Sequence, residues 1–190
     1  MKGKKNMLNR EQAYTELTKY VKNKNLIKHM LAVEAVMRGL ADHCGEDKEL
    51  WGLAGLLHDI DYDETKDDPG LHSLKAAEIL TELGLPEEVV QAVKVHNYVH
   101  GIPRQSLMDK ALYAADPVSG LVVAGALVRP DKKLASVSHD YLVKKFGEKA
   151  FARGADRDQI RTCSEIGLEL QDFLDIALVS MTGIAEDLDL

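Results

Sequence analysis

The sequence predicts an all-α protein, a single-domain helical bundle. Apolar residues recur at helical spacing along nearly the whole chain, no stretch alternates with the period of two that a strand requires, and the breaks between segments carry helix caps and stops. The 190 residues are 45% hydrophobic and 29% charged, which suits one globular domain and excludes a disordered chain.

Asn9 followed by Gln12 reads as a capping box that opens a first helix, running to about Asn23. A second runs from about Leu26 to Asp42, with Met30, Val33, Val36, Met37 and Leu40 on one side and Gly45 as its stop. Asp47 can cap a third, whose run from Leu50 to Leu57 is apolar all round and therefore predicts burial; it ends near His58-Asp59. An acidic loop from Ile60 to Gly70 follows. A fourth helix spans about His72 to Leu83 and stops at Gly84, and Pro86 suits the first turn of a fifth that reaches about Tyr98. The sixth begins near Ser106 and passes through Pro117, where the missing backbone donor predicts a kink; Arg129-Pro130-Asp131 ends it. The remainder predicts a short helix over Ser138–Phe146, a glycine-containing stretch to Gly154 and one long final helix from about Asp156. In that helix Ile166, Leu170, Phe173, Ala177 and Ile184 form a stripe that is expected to pack on the core, a homodimer seam being its other use.

Composition narrows the class of protein. Two cysteines, Cys44 and Cys163, exclude a disulfide scaffold and a thiolate zinc site, and are expected to be reduced thiols. The net charge of −7 argues against a nucleic-acid polymer as partner. The basic start Met1-Lys2-Gly3-Lys4-Lys5 has no apolar run behind it, so no secretory signal is expected. No stretch approaches the roughly 20 apolar residues that span a membrane. A cytoplasmic protein is the resulting expectation.

The chemistry lies in the histidines. Of two His-Asp dipeptides, His139-Asp140 sits at a helix start, where Asp140 complements the helix dipole. His58-Asp59 instead ends a buried helix, where an imidazole and a carboxylate need either a metal ion or hydrogen-bonded partners. His29 lies within the second helix, His72 opens the fourth, His96 shares the fifth with Ala92 and Val93, and Asp116 interrupts an apolar run of the sixth. Inward-facing donors of this kind build metal sites in helical bundles.

The ordered set His29, His58-Asp59, His72, His96, Asp116 resembles the metal signature of the HD-domain superfamily of metal-dependent phosphohydrolases, and Leu56-Leu57-His58-Asp59-Ile60-Asp61 is close to its HDIG-type variant. The resemblance covers roughly residues 25–120. It implies a bundle of HD-domain type with residues 1–24 as an N-terminal helix packing on the core, 25–120 as the metal-binding core and 121–190 as a helical extension of the same domain. It also implies two divalent metal ions, iron or manganese by family, with His29, His58 and Asp116 on one, His72 and His96 on the other, and Asp59 bridging them. Chemistry agrees: one carboxylate can join two cations, and two ions about 3.5–4 Å apart can clamp a phosphoryl displacement and hold a hydroxide competent near neutral pH. Nitrogen and oxygen donors admit iron, manganese, zinc or cobalt alike.

Other residues have weaker assignments. The acidic loop fails an EF-hand, because its sixth position from Asp59 is Glu64 and its twelfth is Gly70; Asp61 or Asp63 can instead hydrogen-bond a ligand histidine. His100, one turn after His96, is a candidate proton donor or substrate contact. Lys75, Arg129 and Lys132, with Lys133, are candidate phosphate contacts. His43 has no assignment. Asp116 is followed by Pro117-Val118-Ser119-Gly120-Leu121, without the arginine-containing stretch of the superfamily's dinucleoside-tetraphosphate hydrolases, and the Gly-Tyr-Pro extension of its cyclic-dinucleotide phosphodiesterases is absent. The expected activity is hydrolysis of a nucleotide or small phosphorylated metabolite. The alternatives are a mixed-valent di-iron oxygenase of the same fold acting on an organophosphonate or polyol, and a non-catalytic metal-containing sensor domain.

Overall fold

Two long helices organise the fold, α2 (Lys24–Cys44) and α7 (Leu107–Leu127). Asn23 caps α2, its side-chain oxygen accepting from the amides of Asn25 and Leu26. The buried face of α2, with Met30, Val33, Val36, Met37 and Leu40, packs against α3 (Lys48–Leu57), α7 and α10 (Leu170–Thr182). The computed structural model describes residues 8–190, so the basic segment that opens the chain, on which the expectation of no secretory signal rests, lies outside the described residues.

Helix α3 is buried from Trp51 to Leu57, as its apolar run predicts. Gly55 sets how closely α3 approaches α2: a Cβ there would lie 2.8 Å from Glu34 Cα and 2.8 Å from the Val33 carbonyl oxygen. The first helix, α1 (Arg10–Tyr20), is closed by the Asn9–Gln12 capping box and packs on α3. Its Arg10 donates two hydrogen bonds, of 2.6 and 2.9 Å, to the buried carboxylate of Glu34 on α2. That pairing matters because a buried carboxylate without a cation is strongly unfavourable.

Helices α5 (Leu74–Leu83) and α6 (Glu87–Val95) form a hairpin, and α6 packs on both α3 and α7. Helix α7 runs unbroken through Pro117. Proline has no N–H, so the carbonyl one turn upstream, that of Tyr113, loses its helical donor. Gln159 Nε2 donates to that carbonyl instead, at 2.8 Å, and ties α9 (Arg157–Arg161) to α7 beside Asp116. Gln159→Leu should therefore lower the unfolding free energy by about 1–3 kcal/mol, measured as a shift of the urea midpoint at constant slope.

The first helix ends at Tyr20 rather than Asn23 and the fifth at Val95 rather than Tyr98, and three further boundaries differ from the sequence expectation. The acidic loop contains a one-turn helix, α4 (Tyr62–Thr65). The helix expected from His72 starts at Leu74, because Asp61 Oδ2 accepts from the amides of Ser73 and Ala76, and Ser73 stands at φ 70°. The long final helix is broken: α9 passes into a 3-10 turn over Thr162–Ile166, Gly167 ends it at φ 79°, and α10 starts afresh before α11 (Ala185–Leu188). The left-handed conformation at Gly167 is open to glycine at little cost and stops a helix. The stripe still faces inward: Ile166, Phe173 and Ala177 are buried, and Leu170 and Ile184 pack on the same core. Among the described residues there is no strand, and no helix is long and apolar enough to cross a membrane. Cys44 and Cys163 are both free thiols. Helix α8 (His139–Gly147) is capped by Ser138, and His139 pairs with Asp175 at 3.5 Å.

Candidate metal centre

Five segments deliver six donors to one place. His29 lies in α2, His58 caps the C-terminus of α3 with Asp59 next to it, His72 precedes α5, His96 caps the C-terminus of α6, and Asp116 lies in α7. His58 is wholly inaccessible, His96 and Asp59 are buried, and His29 and Asp116 retain 27% and 30% of their side-chain exposure. The cluster thus opens to solvent on the His29–Asp116 side.

Asp59 is at the centre. Its Oδ2 lies 3.7 Å from His29 Nε2 and 3.5 Å from His58 Nε2, while its Oδ1 lies 3.4 Å from His72 Nε2 and 3.5 Å from His96 Nε2. Asp116 Oδ1 lies nearest the first pair, 3.1 Å from His29 Nε2 and 3.8 Å from His58 Nε2, with His96 within 4.8 Å. The two Nε2 atoms of His29 and His58 are 3.1 Å apart. Donor atoms bound 2.0–2.2 Å from one ion sit roughly 3.0–3.6 Å from each other, so most of these separations match shared ions and the two longest exceed the range by 0.1–0.2 Å.

The far nitrogen of every ring is already engaged. His58 Nδ1 meets the Gly55 carbonyl at 2.8 Å and His96 Nδ1 meets the Val93 carbonyl at 2.6 Å. Both carbonyls belong to the last turn of a helix, where no backbone donor remains. His72 Nδ1 meets Asp61 Oδ1 at 3.0 Å, and His29 Nδ1 meets Ser119 Oγ at 3.1 Å. Ser119 donates its own proton to the Asp116 carbonyl, leaving an oxygen lone pair for His29. With Nδ1–H spent on these acceptors, all four Nε2 atoms face inward. In the neutral rings four lone pairs and two carboxylates repel one another unless a proton or a metal ion lies between them, so this donor set fits divalent metal ions, with a proton held at His58 in the metal-free protein.

The charges respond to the same crowding. Burial opposes a charge on His58, yet Asp59 and Asp116 outweigh it and raise the imidazole to about 9. Burial likewise opposes ionisation of Asp59, but His58, His96 and His29 hold it far below the usual carboxylate range. Asp116 is held well below that range too, burial being overcome by His29 and His58.

The remaining candidates lie elsewhere. Of the two loop carboxylates, Asp61 contacts His72, whereas Asp63 accepts from the amides of Lys22 and Asn23. His100 does not continue the face of His96, because α6 stops at Val95 and a 3-10 turn over Tyr98–His100 follows; its Nε2 donates to the His72 carbonyl at 2.7 Å. Lys75 is ion-paired with Glu64. Arg129 and Lys132 lie beyond the end of α7, which at 1.5 Å per residue is about 16 Å from Asp116. Arg129 lies over the Tyr141 ring, 5.0 Å from its centroid, so it cannot serve a phosphate at the cluster. The Asp61 contact yields a prediction. Asp61→Asn, which loses the charge behind His72, should weaken metal affinity about 10–100-fold, read by competition with a chromophoric chelator.

A helical bundle with a buried histidine–aspartate donor set defines a class, the metal-binding α-helical domains. Residues 26–121 match the family described as HD domain, about half of the chain, and the protein belongs to the HD-domain family. Curated relatives are the ribonucleases Y of Desulfotalea psychrophila, 31% identical over 96 residues, Lactobacillus acidophilus, 32% over 96, and Clostridium kluyveri, 34% over 96. Each alignment takes in 50% of this chain but only 17–18% of the relative, so the chain spans about a fifth of their length. No solved structure matches the chain.

Sequence reading missed Ser119 as the support of His29 and Gly55 as the contact that brings α3 onto α2. Ser119 lies three residues after Asp116, one helical turn, which is the one signal that pointed to it.

Proposed function

We propose that this protein is a metal-dependent phosphohydrolase acting on a nucleotide or small phosphorylated metabolite. The observation that carries the reading is the division of Asp59, one oxygen toward His29 and His58 and the other toward His72 and His96. In this reading His29, His58 and Asp116 hold one divalent cation, His72 and His96 hold a second, and Asp59 serves both; iron or manganese is the pair of choice by family. Such cations supply Lewis acidity toward a phosphoryl oxygen and a water of lowered pKa.

The chain's own groups do the rest. Ser119, Asp61 and the carbonyls of Gly55 and Val93 fix the four rings by their Nδ1 atoms, so each ring presents Nε2 without a rotational search. The partial exposure of His29 and Asp116 marks the side from which a substrate enters. The relatives' name concerns RNA, but this chain matches only a fifth of them and carries a net charge of −7, which favours a small anion neutralised locally over a polymer.

Because the raised His58 holds a proton up to about pH 9 in the metal-free protein, a cation must displace it. Apparent metal affinity should therefore rise about tenfold per pH unit below that value and level off above it. Calorimetry in two buffers of different ionisation enthalpy reads the released proton directly. The reading itself is tested with protein shown by elemental analysis to hold metal, assayed on an aryl phosphate, a nucleotide panel and a single-stranded RNA. Metal-dependent phosphate release from the small esters is the expected result. Cleavage of RNA alone would move the substrate to a polymer, and no turnover by fully loaded protein would reject hydrolysis.

A further inference from the structure

The C-terminal extension builds something beside the cluster that has no metal-binding role. A slot of about 270 Å³ joins His29 and Asp116 to Gly120 and Ala124 of α7 and to Ala152 and Gly154 of the loop that follows α8. Between those last two in the chain stands Arg153, exposed at the loop tip and not itself part of the lining. The other arginines are all engaged: Arg10, Arg38, Arg104 and Arg161 with carboxylates, Arg129 with the Tyr141 ring and Arg157 with carbonyls. Of the arginines among the described residues, Arg153 alone engages no carboxylate, carbonyl or ring.

The loop that carries it is held in place. The Arg157 guanidinium donates to the carbonyls of Phe146, Phe151, Ala152 and Ala155, at 2.6–3.1 Å. Ala152 sits at φ 45°, a conformation that a residue with a Cβ keeps only when its surroundings hold it there. A loop fixed at this cost presents its tip in one place, and the tip carries a free cation.

Gly120 gives a second, independent sign. It lies in the middle of α7, where glycine is disfavoured relative to alanine. Its backbone is ordinary helix, and a Cβ built there would meet nothing within 4 Å. Neither packing nor conformation accounts for it. The position is exposed, and the missing side chain leaves room both in the slot beside His29 and Asp116 and in the neighbouring cavity toward Leu188 and Leu190.

We infer that the slot between α7 and the loop after α8 receives the non-reacting part of the substrate, and that Arg153 binds a second anionic group there, a carboxylate or phosphate separated from the reacting phosphoryl by a short aliphatic spacer. This rests on the phosphohydrolase reading, since it needs the phosphoryl group at the cluster. The volume suits a small metabolite of this kind, and apart from the His29 ring, which turns to the cluster, the lining offers no aromatic side chain on which a nucleobase would stack.

The test uses the full-length, manganese-loaded protein and two non-hydrolysable probes, propylphosphonate and 3-phosphonopropionate, which differ in the terminal carboxylate. Binding is followed by calorimetry, with metal content checked for each variant. The wild type should bind 3-phosphonopropionate about tenfold or more tighter than propylphosphonate, as a charge-assisted hydrogen bond allows. Arg153→Ala should abolish that preference while changing propylphosphonate affinity less than twofold, and Arg153→Lys should restore part of it. Gly120→Leu should weaken both probes about tenfold or more with its metal retained. Equal affinity of the wild type for the two probes, or a preference that survives Arg153→Ala, would overturn this inference and leave the phosphohydrolase reading standing. Failure of propylphosphonate to bind the loaded wild type at all would overturn both.

Discussion

Asp59→Asn is expected to leave a folded protein that holds little or no metal in either position. The substitution keeps the volume of the side chain but removes the negative charge that faces four imidazoles, two through each oxygen. No other carboxylate takes its central place, because Asp116 lies nearest His29 and His58 and only its outer reach includes His96. Metal content should fall below one ion per chain. Phosphate release should fall by at least roughly three orders of magnitude, since Lewis-acid stabilisation is worth several kcal/mol. The metal-free variant should also show a lower His58 pKa, because Asp59 is the leading charge that raises it and burial then acts with less opposition. Elemental analysis, far-ultraviolet circular dichroism and histidine NMR titration check the three statements. Full metal occupancy in Asp59→Asn would remove the bridging role from this residue.

Gly55→Val should be the most destabilising single substitution at the α2–α3 contact, costing about 3 kcal/mol, the upper range for forcing extra carbons into a packed interior. Already its first added carbon would lie 2.8 Å from backbone atoms of Val33 and Glu34, which cannot rotate away as a side chain can. For a chain of this length that corresponds to a fall of roughly 6–12 °C in Tm. The same shift should weaken metal binding, because α2 carries His29, α3 ends in His58, and the Gly55 carbonyl itself holds His58 Nδ1. Gly120→Ala provides the contrast: with open space around the position, it should be neutral or stabilising by up to about 1 kcal/mol. Thermal and urea melts of the two variants distinguish a glycine kept for backbone contact from one that packing does not require. A Gly55→Val variant as stable as the wild type would mean that α2 and α3 part without loss.

The helical class and most helix starts were legible because they depend on neighbours in the chain. Asn9 with Gln12, Asp47 and Ser106 each bond amides two or three residues away, so local sequence states them, whereas Asn23, read as the end of the first helix, caps the second. The six clustered donors were legible as a set because each lies in an apolar setting that an unpaired polar group would not tolerate. Their order along the chain then resembled one family.

What local sequence left open is decided by contacts between distant segments. Asp61 sets the start of α5 by taking the amides of Ser73 and Ala76 from twelve and fifteen positions upstream, and a helical repeat cannot anticipate those bonds. His100 has the spacing of a neighbour of His96, but the helix that would align them stops at Val95. Arg129 and Lys132 look like a phosphate handle until the rise of α7 carries them away from Asp116, while Ala152 and Gly154, the chain neighbours of Arg153 in a loop with no motif, line the slot. Periodicity and capping act over a single turn and are written in adjacent residues. Which oxygen of Asp59 faces which histidine depends on how four helices and a loop converge, and that is set by packing such as the bare Cα of Gly55 against α2.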